Sequence, residues 1–162
     1  MPTVTFIIGL PGSGKTHLAH RLKKINEAFR PCVIYDDLKK TELDALEEAV
    51  KQGKDVILVD PWLCYPSTRE IACKRIEEWG ATIDEIFFEN DPEAALRNVR
   101  HRNDGRHVES FIKQTTKHYT IPDGTIKAKI WNPKRKQNHE LHSHGSLVQR
   151  SLEPSRIHRY LF

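Results

Sequence analysis

Cysteine is scarce and scattered in this chain. Cys32, Cys64 and Cys73 are an odd set with no C-x-x-C pair, which argues against a disulfide framework and a zinc site and fits a reducing compartment. No apolar run approaches the roughly 20 residues that a membrane-spanning helix needs. The first residues already read as a strand rather than a signal region, so the expectation is a soluble, cytoplasmic protein with no membrane partner. No internal repeat is visible, and no segment reads as a separate motor or partner-binding domain, so no obligate protein partner is expected. At 162 residues the chain has room for one domain with a real core, but not for a nucleotide domain plus a second full one.

Charge is unevenly placed. Residues 1–120 carry 18 Lys+Arg against 19 Asp+Glu, while residues 121–162 carry 8 against 3. The net charge of +4 therefore resides in the tail, which suits either a polyanionic partner or simple solvation.

The most informative stretch is Gly9-Leu10-Pro11-Gly12-Ser13-Gly14-Lys15-Thr16, which fits G-x-x-x-x-G-K-[ST] at every fixed position. The β-branched run Val4 to Ile8 precedes it, and Leu18, Ala19, Leu22 and Ile25 follow as the stripe of an amphipathic helix. Strand, glycine loop and helix in that order are the context the motif requires. Gly12 and Gly14 allow turns that aim successive N–H groups at phosphate oxygens, and the helix adds its positive N-terminal end. Lys15 would reach the β- and γ-phosphates and the Thr16 hydroxyl would ligate Mg²⁺, so ATP and Mg²⁺ are the expected ligands.

The rest of the chain alternates. Pro31 to Tyr35 reads as a second strand ending in Asp36-Asp37, with a helix from about Leu38 that presents Leu43, Leu46, Ala49 and Val50 and ends at Gly53. Asp55 to Val59 is a third strand closing on Asp60; Ser67-Thr68-Arg69-Glu70 has capping-box form and opens a helix with Ala72, Ile76 and Trp79 on one face. A fourth strand lies within Ala81 to Phe88, and Asp91-Pro92-Glu93 opens a helix that runs into Arg97, Arg100 and Arg102. A further helix from about His107 presents Val108, Phe111, Ile112, Thr115 and Tyr119. Beyond a turn at Pro122-Asp123-Gly124, Thr125 to Trp131 alternates as an edge strand protected by lysines. Alternating helices and near-continuous apolar strands predict an α/β fold with a parallel sheet covered on both faces. The core is expected over residues 1–120 with a lid around 100–107, and residues 121–162 form a basic, histidine-containing extension.

In such a sheet, ligand groups gather at the carboxyl ends of the strands. Asp36 is positioned to take the proton of an acceptor hydroxyl, and Asp37 reads as a helix cap. Asp60 would hold a magnesium-bound water or contact the acceptor. Arg102 and Arg106, flanking the turn Asn103-Asp104-Gly105, read as a lid that neutralises charge on a transferring phosphoryl group, with Arg100 beside them and Arg97 on the solvated face. Trp62 and Tyr65 would stack on a base, or Trp62 would cover the sheet end. His139, His142 and His144 are too irregularly spaced for a zinc site, and Lys127, Lys129, Lys134, Arg135 and Lys136 suit phosphate-backbone contact.

With these residues in view, the sequence over roughly 1–120 resembles the 5′-kinase domain of phage-type polynucleotide kinases, in the adenylate-kinase-like branch of P-loop kinases. The family's Gly-x-Pro-Gly-Ser-Gly-Lys-[Ser/Thr] loop is matched by Gly9 to Thr16, including Pro11 and Ser13; its Asp-Asp-x-Arg element by Asp36-Asp37-Leu38-Lys39; its strand-end aspartate by Asp60; and its lid Arg-Asn-x-x-Arg by Arg102 to Arg106. The resemblance implies a three-layer P-loop kinase fold with a small helical lid. It also implies Asp36 as general base, Lys39 at an acceptor phosphate and Arg106 clamping the ATP phosphates. The implied reaction is transfer from ATP to the 5′ hydroxyl of DNA or RNA, in a bacterial or phage-infected cytoplasm. Two departures stand out: Lys39 offers a point charge where the family has a bidentate arginine, and Asp60-Pro61-Trp62-Leu63 replaces Asp-Thr-Asn. They leave open a hydroxymethylated base within DNA or a small metabolite as acceptor. An ATP-binding switch and a nucleic-acid binding module remain the alternatives of other classes.

Overall fold

The strands of the computed structural model alternate their side chains between two separate cores, as period-2 geometry requires. Residues 1–103 and 108–132 are described. β1 (Thr3–Ile8) sends Val4, Phe6 and Ile8 to one face and Ile7 to the other; β3 (Asp55–Val59) sends Val56 and Leu58 one way and Ile57 and Val59 the other. Both are flanked on each side. The parallel order is β2-β3-β1-β4-β5, with β2 at Cys32–Asp36, β4 at Thr82–Phe88 and β5 at Lys127–Ala128. Strands buried on both faces explain the near-continuous apolar runs of β1 and β3.

Among the described residues, α1 (Lys15–Asn26) covers one face through Leu18, Ala19 and Leu22, against Ile57, Ile86 and Phe88. The other face takes α2 (Leu43–Lys51), α3 (Pro66–Glu78), α4 (Pro92–Arg102) and α5 (Glu109–Thr115), through Leu46, Val50, Ile76, Ala95, Val99 and Ile112. The three-layer α/β arrangement expected from the sequence is therefore the observed one.

Local departures have local causes. The second helix starts at Leu43 rather than Leu38, behind a 3-10 turn at Lys40–Glu42 in which the Glu42 carboxylate accepts the Lys39 N–H at 2.8 Å. Ser67 does not cap α3: Pro66 occupies the first turn, where a missing N–H costs nothing, and among the described residues no side chain caps it. Glu70 instead pairs with Lys74 one turn on. Asp91 does cap α4, its Oδ1 accepting the Ala94 N–H at 2.9 Å. The edge strand shrinks to Lys127–Ala128, paired with Phe87 and Phe88 of β4. Tyr119 lies beyond α5 rather than on it. Its buried hydroxyl donates to the carbonyls of Ile8 at 3.1 Å and Phe88 at 2.6 Å, tying together the carboxyl ends of β1 and β4.

Candidate functional site: a phosphate loop facing three carboxylates

The loop between β1 and α1 is shaped by what surrounds it. Gly12 has φ +84°, and a Cβ there would lie 2.6 Å from the Ala95 carbonyl of α4; Gly14 has φ +102° and its Cβ would meet that of Trp131 at 2.8 Å. Both positions thus exclude a side chain by conformation and by space. Among the described residues no side chain caps α1 and no acid stands in its first turn, so its first N–H groups and positive end remain for an anion. Lys15 is buried, and its ammonium donates to the Leu10 carbonyl at 2.9 Å. Burial lowers its pKa to about 8, against the raising effect of nearby Asp36, Asp37 and Asp60.

Three carboxylates stand across from the loop. Asp36 ends β2, and its Oδ2 accepts the Thr16 hydroxyl at 2.9 Å. Asp37 takes φ +53° and donates its N–H to the Val59 carbonyl at 2.9 Å; it caps no helix, correcting the expectation. The left-handed turn here carries the chain away from the sheet end before any helix begins. Asp60 follows β3, and its Oδ1 accepts the Trp62 N–H at 2.8 Å, capping the 3-10 turn Pro61–Cys64. Burial pushes its carboxyl above the usual range, with the Trp62 N–H opposing. Because Asp36 pairs with Val59 in register, Asp36 and Asp60 are close neighbours. The partner of the loop threonine is Asp36 rather than Asp60.

These groups share one cavity of about 800 Å³, which Pro11, Gly12, Gly14, Lys15, Thr16, Asp36, Asp60, Trp62 and Arg102 all line. Lys39 is exposed and does not line it, although Leu38 beside it does. Arg100 reaches across to Glu109 in a two-pronged pair at 2.8 and 3.1 Å, so its guanidinium is directed at α5. Arg106 and the tail from 133, with His139, His142, His144, Lys134, Arg135 and Lys136, lie outside the described residues.

Two residues that sequence reasoning missed complete the loop. Asn98 is buried on α4, and its Nδ2 donates to the carbonyls of Gly12, at 2.9 Å, and Trp131. Trp131 donates its N–H to the Ser13 carbonyl at 2.9 Å. A polar residue on the apolar stripe of Ala94, Ala95 and Val99 was the available signal for Asn98.

Thr16, Asp36, Asp37 and Asp60 supply hard oxygen donors suited to Mg²⁺, which characteristically takes one or two protein oxygens plus phosphates. Among the described residues no group of three or more His, Cys, Asp or Glu forms a metal site by itself.

No family model matches the chain. A search of curated proteins finds 32% identity over 119 residues with the uncharacterized protein R277 of Acanthamoeba polyphaga mimivirus, covering 71% of this chain and 84% of that protein. The chain belongs to the R277 family. Among solved structures, this R277-family chain is similar to Kti12 of Chaetomium thermophilum, solved in complex with ADP-AlF3, with a TM-score of 0.59 at 18% identity over 86% of this chain and 94% of that one. The chain is also similar to the crystal structure of APE1195, with a TM-score of 0.56 at 18% identity over 86% of this chain and 92% of that one. At that identity the likeness shows the fold alone, a three-layer α/β arrangement around a central parallel sheet. No helix among the described residues is long and apolar enough to cross a membrane.

Proposed function

We propose that this chain is a phosphotransferase that moves the γ-phosphoryl group of ATP to a hydroxyl of a nucleic acid, the 5′ hydroxyl of DNA or RNA foremost. The observation that carries the reading is the 2.9 Å contact between Thr16 and Asp36. It sets an exposed carboxylate at the phosphate end of the loop, beside Lys15, where an acceptor hydroxyl must approach. Only Oδ2 of that carboxylate is engaged among the described residues.

On this account the loop N–H groups and the α1 N-terminus hold the phosphates, and Lys15 turns from the Leu10 carbonyl to the β- and γ-phosphate oxygens. Thr16 would hold Mg²⁺, with Asp36 or Asp60 supporting it, and the ion would supply neutralisation of the phosphate charge. The acceptor oxygen forms its bond to phosphorus as the bond to the β-phosphate oxygen breaks, and its proton passes to Asp36. ADP and a phosphomonoester result. Lys15, Arg102 and Arg106 counter the charge spread over the transferring group. Lys39, one residue beyond the cavity wall, meets a phosphate neighbouring the target hydroxyl.

The same Thr16–Asp36 contact favours one other reading, since an acid that supports a metal-bound water also serves an ATP-hydrolysing switch. Transfer of label from γ-labelled ATP separates the two. The panel contains 5′-hydroxyl DNA and RNA oligonucleotides, DNA with hydroxymethyl bases, and free nucleosides. Label at a 5′ end supports the proposal, and label inside the strand moves the acceptor to the base. Inorganic phosphate with no labelled acceptor replaces the kinase by the switch.

A further inference from the structure

Beside the three carboxylates the cavity wall is made of rings. Trp62, on the 3-10 turn after β3, lines the cavity and is 55% exposed. Phe111 of α5 meets it edge-on, with centroids 5.2 Å apart and planes at 76°, and Tyr65 lies tilted against it at 5.6 Å. Tyr65 is itself stacked on His118 at 5.5 Å, and its hydroxyl is 3.2 Å from Oγ1 of the buried Thr115. A solitary exposed tryptophan is ordinary. This one is braced by rings from two directions and opens on the cavity that holds Thr16 and Asp36.

The charge around it restricts the occupant. Asp36, Asp37 and Asp60 line the cavity at the ends of β2 and β3, where the turn bearing Trp62 begins, whereas its Lys15 and Arg102 come from the phosphate loop and α4. Carboxylates so placed repel a phosphate and tolerate a flat uncharged ring, which an indole face stacks well. The spacing also fits. Asp60 succeeds the partner of Asp36 in the sheet and accepts the Trp62 N–H at 2.8 Å, so the turn bearing Trp62 starts about one strand spacing, roughly 5 Å, from Asp36. A sugar ring separates a nucleoside's 5′ hydroxyl from its base by a similar reach.

We infer that Trp62 is the stacking platform for the nucleobase of the acceptor, braced by Phe111 and Tyr65 so that the nucleoside's hydroxyl meets Asp36. The inference rests on the phosphotransfer reading and adds the chemical class that the acceptor end selects: a nucleoside unit with no phosphate on its target hydroxyl. It covers a free nucleoside and the terminal residue of an oligonucleotide alike.

Steady-state transfer to a 5′-hydroxyl oligonucleotide and to a free nucleoside tests it. Trp62→Ala is expected to raise the acceptor KM about tenfold, the range found when a base-stacking aromatic is truncated, with kcat changed less than about twofold. Trp62→Phe should restore most of the loss, and affinity for Mg·ADP should be unchanged. An effect on both acceptors places the site at the nucleoside unit; an effect on the oligonucleotide alone ties it to a strand end. An unchanged KM in Trp62→Ala beside an active wild type overturns the platform and leaves the kinase reading standing. A second readout is independent of turnover. With Trp79→Phe and Trp131→Phe combined, Trp62 is the only indole of the three, and its fluorescence should be quenched by the nucleoside or oligonucleotide. Quenching without transfer retains the platform while the kinase reading fails, and absence of quenching overturns the platform.

Discussion

Nucleotide binding should draw a proton from solvent, because Lys15 is poised by burial. Its pKa in the free protein is lowered to about 8, from 10.5, chiefly by desolvation, while Cys64, Asp36, Asp37 and Asp60 act in the opposite sense. Phosphates arriving beside the ammonium favour its charged form and restore the pKa toward the ordinary range. The complex then holds more protons than the free protein over the window between the two values. Uptake per site should be about 0.1 proton at pH 7, about 0.5 at pH 8 and about 0.9 at pH 9. The sign for affinity follows: binding weakens as pH rises through 8, by about half a log unit per pH unit there and approaching tenfold per unit near pH 9. Titration calorimetry of Mg·ADP in buffers of differing ionisation enthalpy measures the uptake directly. Lys15→Met should abolish both uptake and binding. It should also stabilise the free chain by about 1–3 kcal/mol at pH 7, since the buried charge is penalised below pH 8. For the wild type this penalty fades between pH 8 and 10.5, so the Lys15 contribution to the stability of the free protein rises across that window. Zero uptake at pH 8 to 9, or uptake that falls as pH rises, would refute the reasoning.

Gly12→Ala forces φ +84° on a residue with a Cβ 2.6 Å from the Ala95 carbonyl; the left-handed conformation alone costs about 1–2 kcal/mol. A lower melting temperature and at least tenfold weaker Mg·ADP binding are expected by thermal shift and calorimetry. Asn98→Ala leaves the Gly12 and Trp131 carbonyls without their donor while removing Oδ1, a buried acceptor with no partner among the described residues. The net loss should be about 2 kcal/mol by chemical denaturation, with weaker nucleotide binding because the loop loses its tie to α4. Tyr119→Phe removes the donor to Ile8 and Phe88 and should cost about 1–2 kcal/mol of stability, with nucleotide affinity unchanged.

The phosphate loop and the sheet were legible because each depends on local pattern. Glycines, Lys15 and Thr16 sit at fixed spacing, and buried parallel strands write continuous apolar runs. The Asp91 cap was legible for the same reason, being a contact over three residues. What escaped was set by distant partners. Asp37 reads as a cap until the left-handed turn after β2 delays the helix to Leu43. Ser67 and Glu70 have the letters of a capping box, but Pro66 starts the helix one residue earlier. Asn98 reaches the carbonyls of Gly12 and Trp131, 86 and 33 residues away in the chain, and no short window contains that information. The contact between Thr16 and Asp36 was half legible: both residues stood out, but which carboxylate faces the threonine depends on β2 and β3 standing side by side.

The most direct test of the account compares wild type and Asp36→Asn, measuring transfer from γ-labelled ATP to a 5′-hydroxyl oligonucleotide alongside Mg·ADP affinity. The account predicts loss of transfer by at least about a hundredfold, the lower range for removal of a general base, with nucleotide affinity within about twofold. Near-wild-type transfer by Asp36→Asn would contradict it.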